Sequence, residues 1–436
     1  MRGSVMTYQG IMNYMDEISS YGIVPGLDSI RELCRRIGDP QNRLRFIHIA
    51  GTNGKGSVLA YVSTICTEAG YRVGRYISPT IFEYRERFQI NGKMVPKTVL
   101  CKGMEIVIQH AKEMADEGLP HPTPFEIETA FSFWYFDEMK CDLVVLETGM
   151  GGLLDATNLI ETTLVSVVTS ISMDHMQFLG RTLSDIARQK AGIIKEKTSC
   201  VSVKQKEEAM QVIEEVAALK DVELFIADQA DASHINYGLK KQQFDYKEYK
   251  KIEIPLSGKV QIQNAILAIN VIEVLRRNGY KISDKALREG FMKTQWIGRF
   301  SVIKKKPLFI VDGAHNEDAA FQLASSIEEY LEHRRIIFIM GMLKDKEYEK
   351  VIQITEKYAD QIITITPPNQ KRALPAIDLA REIAKIHPNV TAADSVEEAV
   401  EVSTILAGKD DVILAFGSLS FLGHLIEVVQ DKYGKL

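Results

Sequence analysis

The apolar run Arg45-Phe-Ile-His-Ile-Ala50 passes directly into Gly51-Thr-Asn-Gly-Lys-Gly-Ser57, and residues 58–69 follow with a helical pattern that Gly70 ends. A short apolar run of this length reads as a buried strand. A glycine-rich loop between a strand and a helix is the setting that phosphate binding requires. The glycines let backbone N–H groups approach an anion, and the helix N-terminus adds partial positive charge. Lys55 is placed to reach terminal phosphates. A plain glycine turn is the competing reading, and three glycines together with Lys55 and Ser57 argue against it. Thr52, Asn53, Gly54, Lys55, Gly56 and Ser57 are therefore the candidate ATP-binding loop. The usual pattern has Ser or Thr directly after the lysine, whereas here Gly56 intervenes. The hydroxyl that would meet Mg²⁺ is left open between Ser57 and one elsewhere.

Outward from the loop, residues 143–147 (LVVLE) and 164–170 (LVSVVTS) are two more strand candidates. Strands separated by helices imply a parallel sheet covered on both faces. A second α/β series begins near Pro307, with strand candidates at 308–312, 336–340, 361–366 and 412–416 and helical patterns at 317–331 and 374–386. The expected fold class is α/β: a P-loop-containing parallel-sheet ATPase domain over residues 1–297, then a smaller Rossmann-like α/β domain over 298–436. The expected hinge is 297–306, with Lys304, Lys305 and Lys306 in a solvated turn. Residues 201–256 are more polar and read as a peripheral extension of the first domain. No G-x-G-x-x-G follows residues 308–312, which argues against a nicotinamide dinucleotide there.

The chain has 436 residues, enough for two or three domains. Its 45% hydrophobic and 25% charged residues are those of a soluble globular protein. A net charge of -5 gives no global attraction to nucleic acid or anionic membrane. The five cysteines, Cys34, Cys66, Cys101, Cys141 and Cys200, lack metal or redox spacing and read as reduced thiols. Neither a secretory leader nor an apolar stretch of membrane-spanning length is apparent. A cytoplasmic protein is expected.

Glu147 ends an apolar run, and an ionised carboxylate there needs a partner. A hard cation bridging phosphates would be one. His175 follows the next strand, and parallel sheets place ligands at the carboxyl ends of their strands. A satisfied core histidine is the competing reading of His175.

Four further segments accompany the loop: Glu147-Thr-Gly-Met-Gly-Gly-Leu-Leu-Asp-Ala-Thr-Asn158, Asp174-His175 with Leu179-Gly-Arg-Thr-Leu183, Gln189-Lys-Ala-Gly-Ile-Ile-Lys195, and Asp312-Gly-Ala-His-Asn316. In this order the five segments resemble the folylpolyglutamate/dihydrofolate synthase family of the Mur ligase superfamily, over nearly the whole chain. The resemblance implies two Mg²⁺ sites, the first on Ser78 and Glu147 and the second on His175. It implies a carbamylated lysine at Lys190, which from sequence alone is an ordinary helix lysine. It assigns Asn264, Arg299 and Asp312 to ATP, His315 to the cleft between domains, and Ser418 to incoming glutamate. Thr123, Phe125, Asp155 and Ala156 fall where dihydropteroate contacts lie. Phe125 reads equally well as core, and Asn316 equally well as a helix cap.

The chain departs from the family pattern at Thr80, Val260, Leu153, Ile297, Phe300 and Glu317. None of these is a proposed catalytic group. The implied reaction is ATP-dependent ligation of L-glutamate to a reduced folate or dihydropteroate through an acyl phosphate, with Lys55, Lys190 and His315 as catalytic groups. A monomer is expected, since both domains of the site lie in one chain. A Mur-type ligase acting on a UDP-linked cell-wall acid is the first alternative. A P-loop switch acting on a protein partner is the second.

Overall fold

The computed structural model describes residues 6–19, 26–368 and 371–434. They form two compact units. The first draws on Met1–Pro79, Tyr84–Gln229 and Asn264–Lys293, the second on Thr80–Glu83, Ala230–Gln263 and Thr294–Leu436.

The first unit is built on an eight-stranded sheet. Its strands are β1 (Phe46–Ala50), β2 (Val73–Tyr76), β3 (Phe88–Ile90), β4 (Lys93–Met94), β5 (Leu143–Glu147), β6 (Thr163–Val168), β7 (Ser199–Val203) and β8 (Glu223–Ala227). They lie in the order β4-β3-β2-β5-β1-β6-β7-β8. Every pair from β2 to β8 in that order is parallel, and β3 and β4 add an antiparallel edge. All five residues of β1 and of β5 are buried, as strands covered on both faces must be. That is why they read as unbroken apolar runs rather than alternating ones. Because β1 lies between β5 and β6, with Ile49 opposite Glu147 and Ala50 opposite Val168, the segments after these three strands leave the sheet at one edge.

The second unit holds a three-stranded antiparallel sheet of β9 (Ala232–Asn236), β10 (Gln242–Tyr246) and β11 (Tyr249–Ile254), and a six-stranded sheet. The latter contains β12 (Ser301–Lys305), β13 (Leu308–Val311), β14 (Ile336–Met340), β15 (Gln361–Thr364), β16 (Val390–Ala392) and β17 (Val412–Phe416), in the order β12-β13-β17-β14-β15-β16. Only β12 runs antiparallel to its neighbour. Residues 201–256 thus divide, the hairpin strands after 229 packing with the second unit.

Three expectations need correction. The stretch expected as a hinge contains β12, whose ladder to β13 runs from Ser301–Val311 to Lys305–Leu308. The β-branched pair Val302-Ile303 supplies the strand, with Ile303 buried. The lysine run is not simply a solvated turn either, since Lys304 Nζ lies 3.9 Å from the centroid of the Tyr433 ring. The helix after the phosphate loop spans Lys55–Glu68. It starts earlier than the apolar pattern because Gly54 takes φ 91° and turns the chain into the helix at once.

Candidate active site

The phosphate loop is fixed by the segment that follows β6. The Thr52 amide donates to Ser170 O at 2.7 Å, and the Thr52 hydroxyl exchanges hydrogen bonds with the Ser172 backbone at 3.1 Å. The Ser170 hydroxyl donates to Asn53 O at 3.3 Å. Two glycines are required by close approach. A Cβ on Gly51 would fall 1.8 Å from Thr169 Oγ1, and one on Gly54 would fall 2.7 Å from Asn264 Oδ1. The second contact brings Asn264, distant in sequence, against the loop. Ser57 is buried in the first turn of the helix.

Two lysines converge on one carbonyl. Lys55 Nζ donates to Gly51 O at 3.1 Å, and Lys190 Nζ donates to the same oxygen at 2.9 Å. Lys190 lies on the helix Leu183–Ala191 and is buried. Burial, and then the Lys55 charge, pushes its ammonium down to about 7. An ordinary helix lysine would be solvated, so burial sets Lys190 apart, which its sequence pattern without the resemblance did not.

Glu147 is buried at the end of β5, and its Oε1 lies 3.9 Å from Lys55 Nζ. The Ser78 amide approaches its Oε2 at 3.4 Å. Ser78 and Glu147 are therefore adjacent beside the loop lysine. A hydroxyl and a carboxylate are hard oxygen donors, which suit Mg²⁺ completed by phosphate oxygens and water. Among the described residues no group of three or more His, Cys, Asp or Glu could hold a metal by itself. That is compatible with Mg²⁺, which is seldom held in an all-protein cage. His175 sits at φ 50° before the short helix Met176–Leu179, its side chain 38% exposed. It is not a core histidine.

Thr123 caps the helix Pro124–Glu138 through a capping box, its amide and hydroxyl both donating to Glu126 Oε2 at 2.7 and 2.8 Å. Phe125 is part core and part wall. It packs 5.9 Å from the Tyr76 ring, and a Cβ on Gly149 would lie 2.5 Å from its Cζ. Asp155 is buried and is not a simple exposed pterin acceptor. Its Oδ2 accepts from Met150 N at 2.8 Å and its Oδ1 from Thr157 N at 3.0 Å, which ties the Gly-Gly segment back on itself. Ala156 is buried beside it. Burial raises the Asp155 pKa against these hydrogen bonds.

The second unit gathers its own candidates. Asp312 follows β13 and Ser418 follows β17, adjacent parallel strands with Val311 opposite Ala415. The Asp312 amide donates to Ala415 O at 2.9 Å. Its carboxylate accepts from Phe300 N and Ala314 N, both at 2.7 Å. Burial raises its pKa, with the Arg299 charge opposing. A Cβ on Gly313 would strike Arg299 Nη1 at 2.1 Å, so the arginine lies across that glycine. His315 Nδ1 donates to Gly313 O at 2.7 Å, which fixes the ring. Asn316 caps the helix Glu317–Tyr330 by accepting from Ala319 N at 2.9 Å. Ser418 caps the helix Leu419–Tyr433 and lies 2.8 Å from the Ser420 hydroxyl.

Sequence reasoning missed Glu128, whose buried carboxylate faces Arg87 Nη1 at 3.3 Å. The available signal was two carboxylates, Glu126 and Glu128, inside an otherwise apolar helix.

Residues 49–272 match the Mur ligase middle domain, and residues 298–419 match the Mur ligase glutamate ligase domain. The chain is 35% identical over 430 residues to the dihydrofolate synthase/folylpolyglutamate synthase of Bacillus subtilis, covering 96% of this chain and 98% of that one. Among solved structures, Mycobacterium tuberculosis folylpolyglutamate synthase complexed with ADP superposes with a TM-score of 0.88 at 28% identity, covering 95% and 96% of the two chains. E. coli FolC in complex with DHPP and ADP gives 0.83 at 27%, covering 97% and 98%. With both domain models matched in order and full-length relatives at this identity, the chain belongs to the folylpolyglutamate/dihydrofolate synthase family of Mur ligases.

Proposed function

We propose that the protein is an ATP-dependent, ADP-forming ligase that joins L-glutamate to a folate-type carboxylate, taking reduced folate or dihydropteroate as acceptor. The observation that carries this reading is the convergence of Lys55 and Lys190 on Gly51 O, with Glu147 3.9 Å from Lys55. Such an arrangement provides for a nucleotide triphosphate and its metal. The ADP complexes of the relatives support it, as does the E. coli relative's complex with DHPP.

The acceptor carboxylate oxygen attacks the γ-phosphorus of ATP, and ADP leaves. Loop amides from Thr52 to Ser57 and the Lys55 ammonium hold the transferring phosphoryl group. Asn264 stands against Gly54 to meet the nucleotide, and Arg299 and Asp312 are assigned to ATP as well. Mg²⁺ on Ser78 and Glu147, with a second ion on His175, would neutralise phosphate charge. Thr123, Phe125, Asp155 and Ala156 form the acceptor wall. The glutamate amine, oriented with help from Ser418 and His315, then attacks the acyl carbon and phosphate departs with its oxygen. The nucleophiles come from the substrates, so no activated serine or cysteine is needed.

Lys190 is carbamylated in this scheme. A lysine brought to about 7 by burial presents a free amine near neutral pH. That amine adds to CO₂ and releases a proton. The carbamate nitrogen keeps one N–H for Gly51 O, and the product is an anion where the lysine would be a cation. The protein acts as a cytoplasmic monomer.

The test is ADP formation with Mg-ATP and L-glutamate, with dihydropteroate and tetrahydrofolate supplied separately and products identified by mass. Turnover that requires both glutamate and a folate is expected. Turnover with a UDP-linked acid instead, or independent of glutamate, would overturn the reading.

A further inference from the structure

His48 sits in the middle of β1, just before the phosphate loop, and is fully buried between Ile47 and Ile49. A polar ring in such a strand is costly unless it is hydrogen-bonded. One of its nitrogens is: Nε2 lies 2.9 Å from Thr157 Oγ1. That hydroxyl donates onward to Asp155 Oδ1 at 2.5 Å. Nδ1 is buried without a hydrogen-bond partner among the described residues.

The direction of this chain follows from its far end. Asp155 accepts from the amides of Thr157 at 3.0 Å and Met150 at 2.8 Å, with the Gly149 amide adding to them. Amides only donate, so both Asp155 oxygens act as acceptors, and the Thr157 hydroxyl donates to Oδ1. The one hydroxyl proton of Thr157 is spent on Asp155, so Thr157 accepts from His48. Nε2 therefore carries the proton and Nδ1 a bare lone pair. Burial, and then Lys195, holds the ring neutral, its pKa pushed down to about 3. The chain ends on the Gly149 and Met150 amides, and Gly149 lies directly against the Phe125 ring. An orphaned Nδ1 is a cost that a space-filling residue would not carry.

We propose that His48 is a positioning residue for the acceptor pocket: its Nε2–H fixes the Thr157 hydroxyl, which fixes Asp155, which sets the 149–150 backbone beside Phe125. The identity of the acceptor rests on the function proposed above, while the relay itself does not.

The experiment compares His48→Gln, which keeps an amide donor at similar reach, with His48→Met, which keeps bulk and loses the donor. His48→Met should raise the KM for dihydropteroate or tetrahydrofolate about tenfold, the worth of one hydrogen bond, with ADP affinity within about twofold. His48→Gln should stay within about threefold of the unsubstituted protein. Equal behaviour of the two variants, or a parallel loss of ADP affinity, would overturn the proposal. If His48→Met does not fold, nitrogen NMR of the histidine-labelled unsubstituted protein decides. A neutral ring protonated at Nε2 is expected, and an Nδ1–H or charged ring would refute the relay. Should the unsubstituted protein turn over no folate, the functional reading fails, and the NMR and ADP measurements still test the relay.

Discussion

Replacing Lys190 by methionine should make the protein more stable and inactive. A buried lysine whose pKa falls from 10.5 to about 7 binds its proton less tightly folded than unfolded. Above the unfolded value both states are neutral and nothing is lost. As pH falls from 10.5 toward 7, only the unfolded chain gains the proton, and the fold is progressively destabilised. At about 1.4 kcal/mol per pH unit, the penalty reaches roughly 4 kcal/mol at neutral pH and roughly 1 kcal/mol near pH 10. The hydrogen bond from Nζ to Gly51 O, worth about 1 kcal/mol, is lost in the variant. Lys190→Met should therefore gain about 3 kcal/mol at neutral pH and almost nothing near pH 10. Urea denaturation of both proteins at the two pH values, in CO₂-free buffer, measures this. Saturating bicarbonate should then stabilise the unsubstituted protein alone. A variant less stable than its parent at neutral pH, with no dependence of the difference on pH, would refute the reasoning.

Other residues give further tests. Gly51→Ala places a methyl group against Thr169 Oγ1 and should abolish ADP binding by calorimetry, while the second unit keeps its fold. Gly313→Ala drives Arg299 off its seat and should weaken nucleotide binding about tenfold, the loss of one charged contact. Asp312→Ala leaves the amides of Phe300 and Ala314 without their carboxylate and should cost about 2–4 kcal/mol, read by chemical denaturation. Thr123→Val breaks the capping box and should cost about 1 kcal/mol.

Strands buried on both faces were legible because nothing polar interrupts them: 336–340 and 412–416 match their observed bounds residue for residue. The first turn of the helix at Lys55 was not, because its Gly-Lys-Gly-Ser start carries no apolar periodicity. Strand β12 was hidden by the lysines around Val302-Ile303, whose charge suggested a solvated linker. At the candidate site, the loop was legible as a glycine-rich turn between strand and helix and Glu147 as a carboxylate ending an apolar run, while Asp312 was assigned through resemblance. Asn264 could be joined to the loop only through resemblance, since its contact with Gly54 spans distant sequence. Lys190 was named only through the resemblance, and His48 and the Arg87–Glu128 pair stayed unread, for one reason. Their chemistry comes from burial in three dimensions, and the residue types alone do not report it.

The most direct test of the account follows the acceptor's own oxygen. A folate acceptor carrying heavy oxygen in its reacting carboxylate is incubated with Mg-ATP, L-glutamate and the protein, and the released phosphate is analysed by mass. Activation as an acyl phosphate predicts one heavy oxygen in each phosphate released, alongside a product longer by one glutamyl residue. Phosphate that takes its new oxygen from solvent, with the acceptor unchanged, would contradict the account and leave a nucleotide hydrolase in its place.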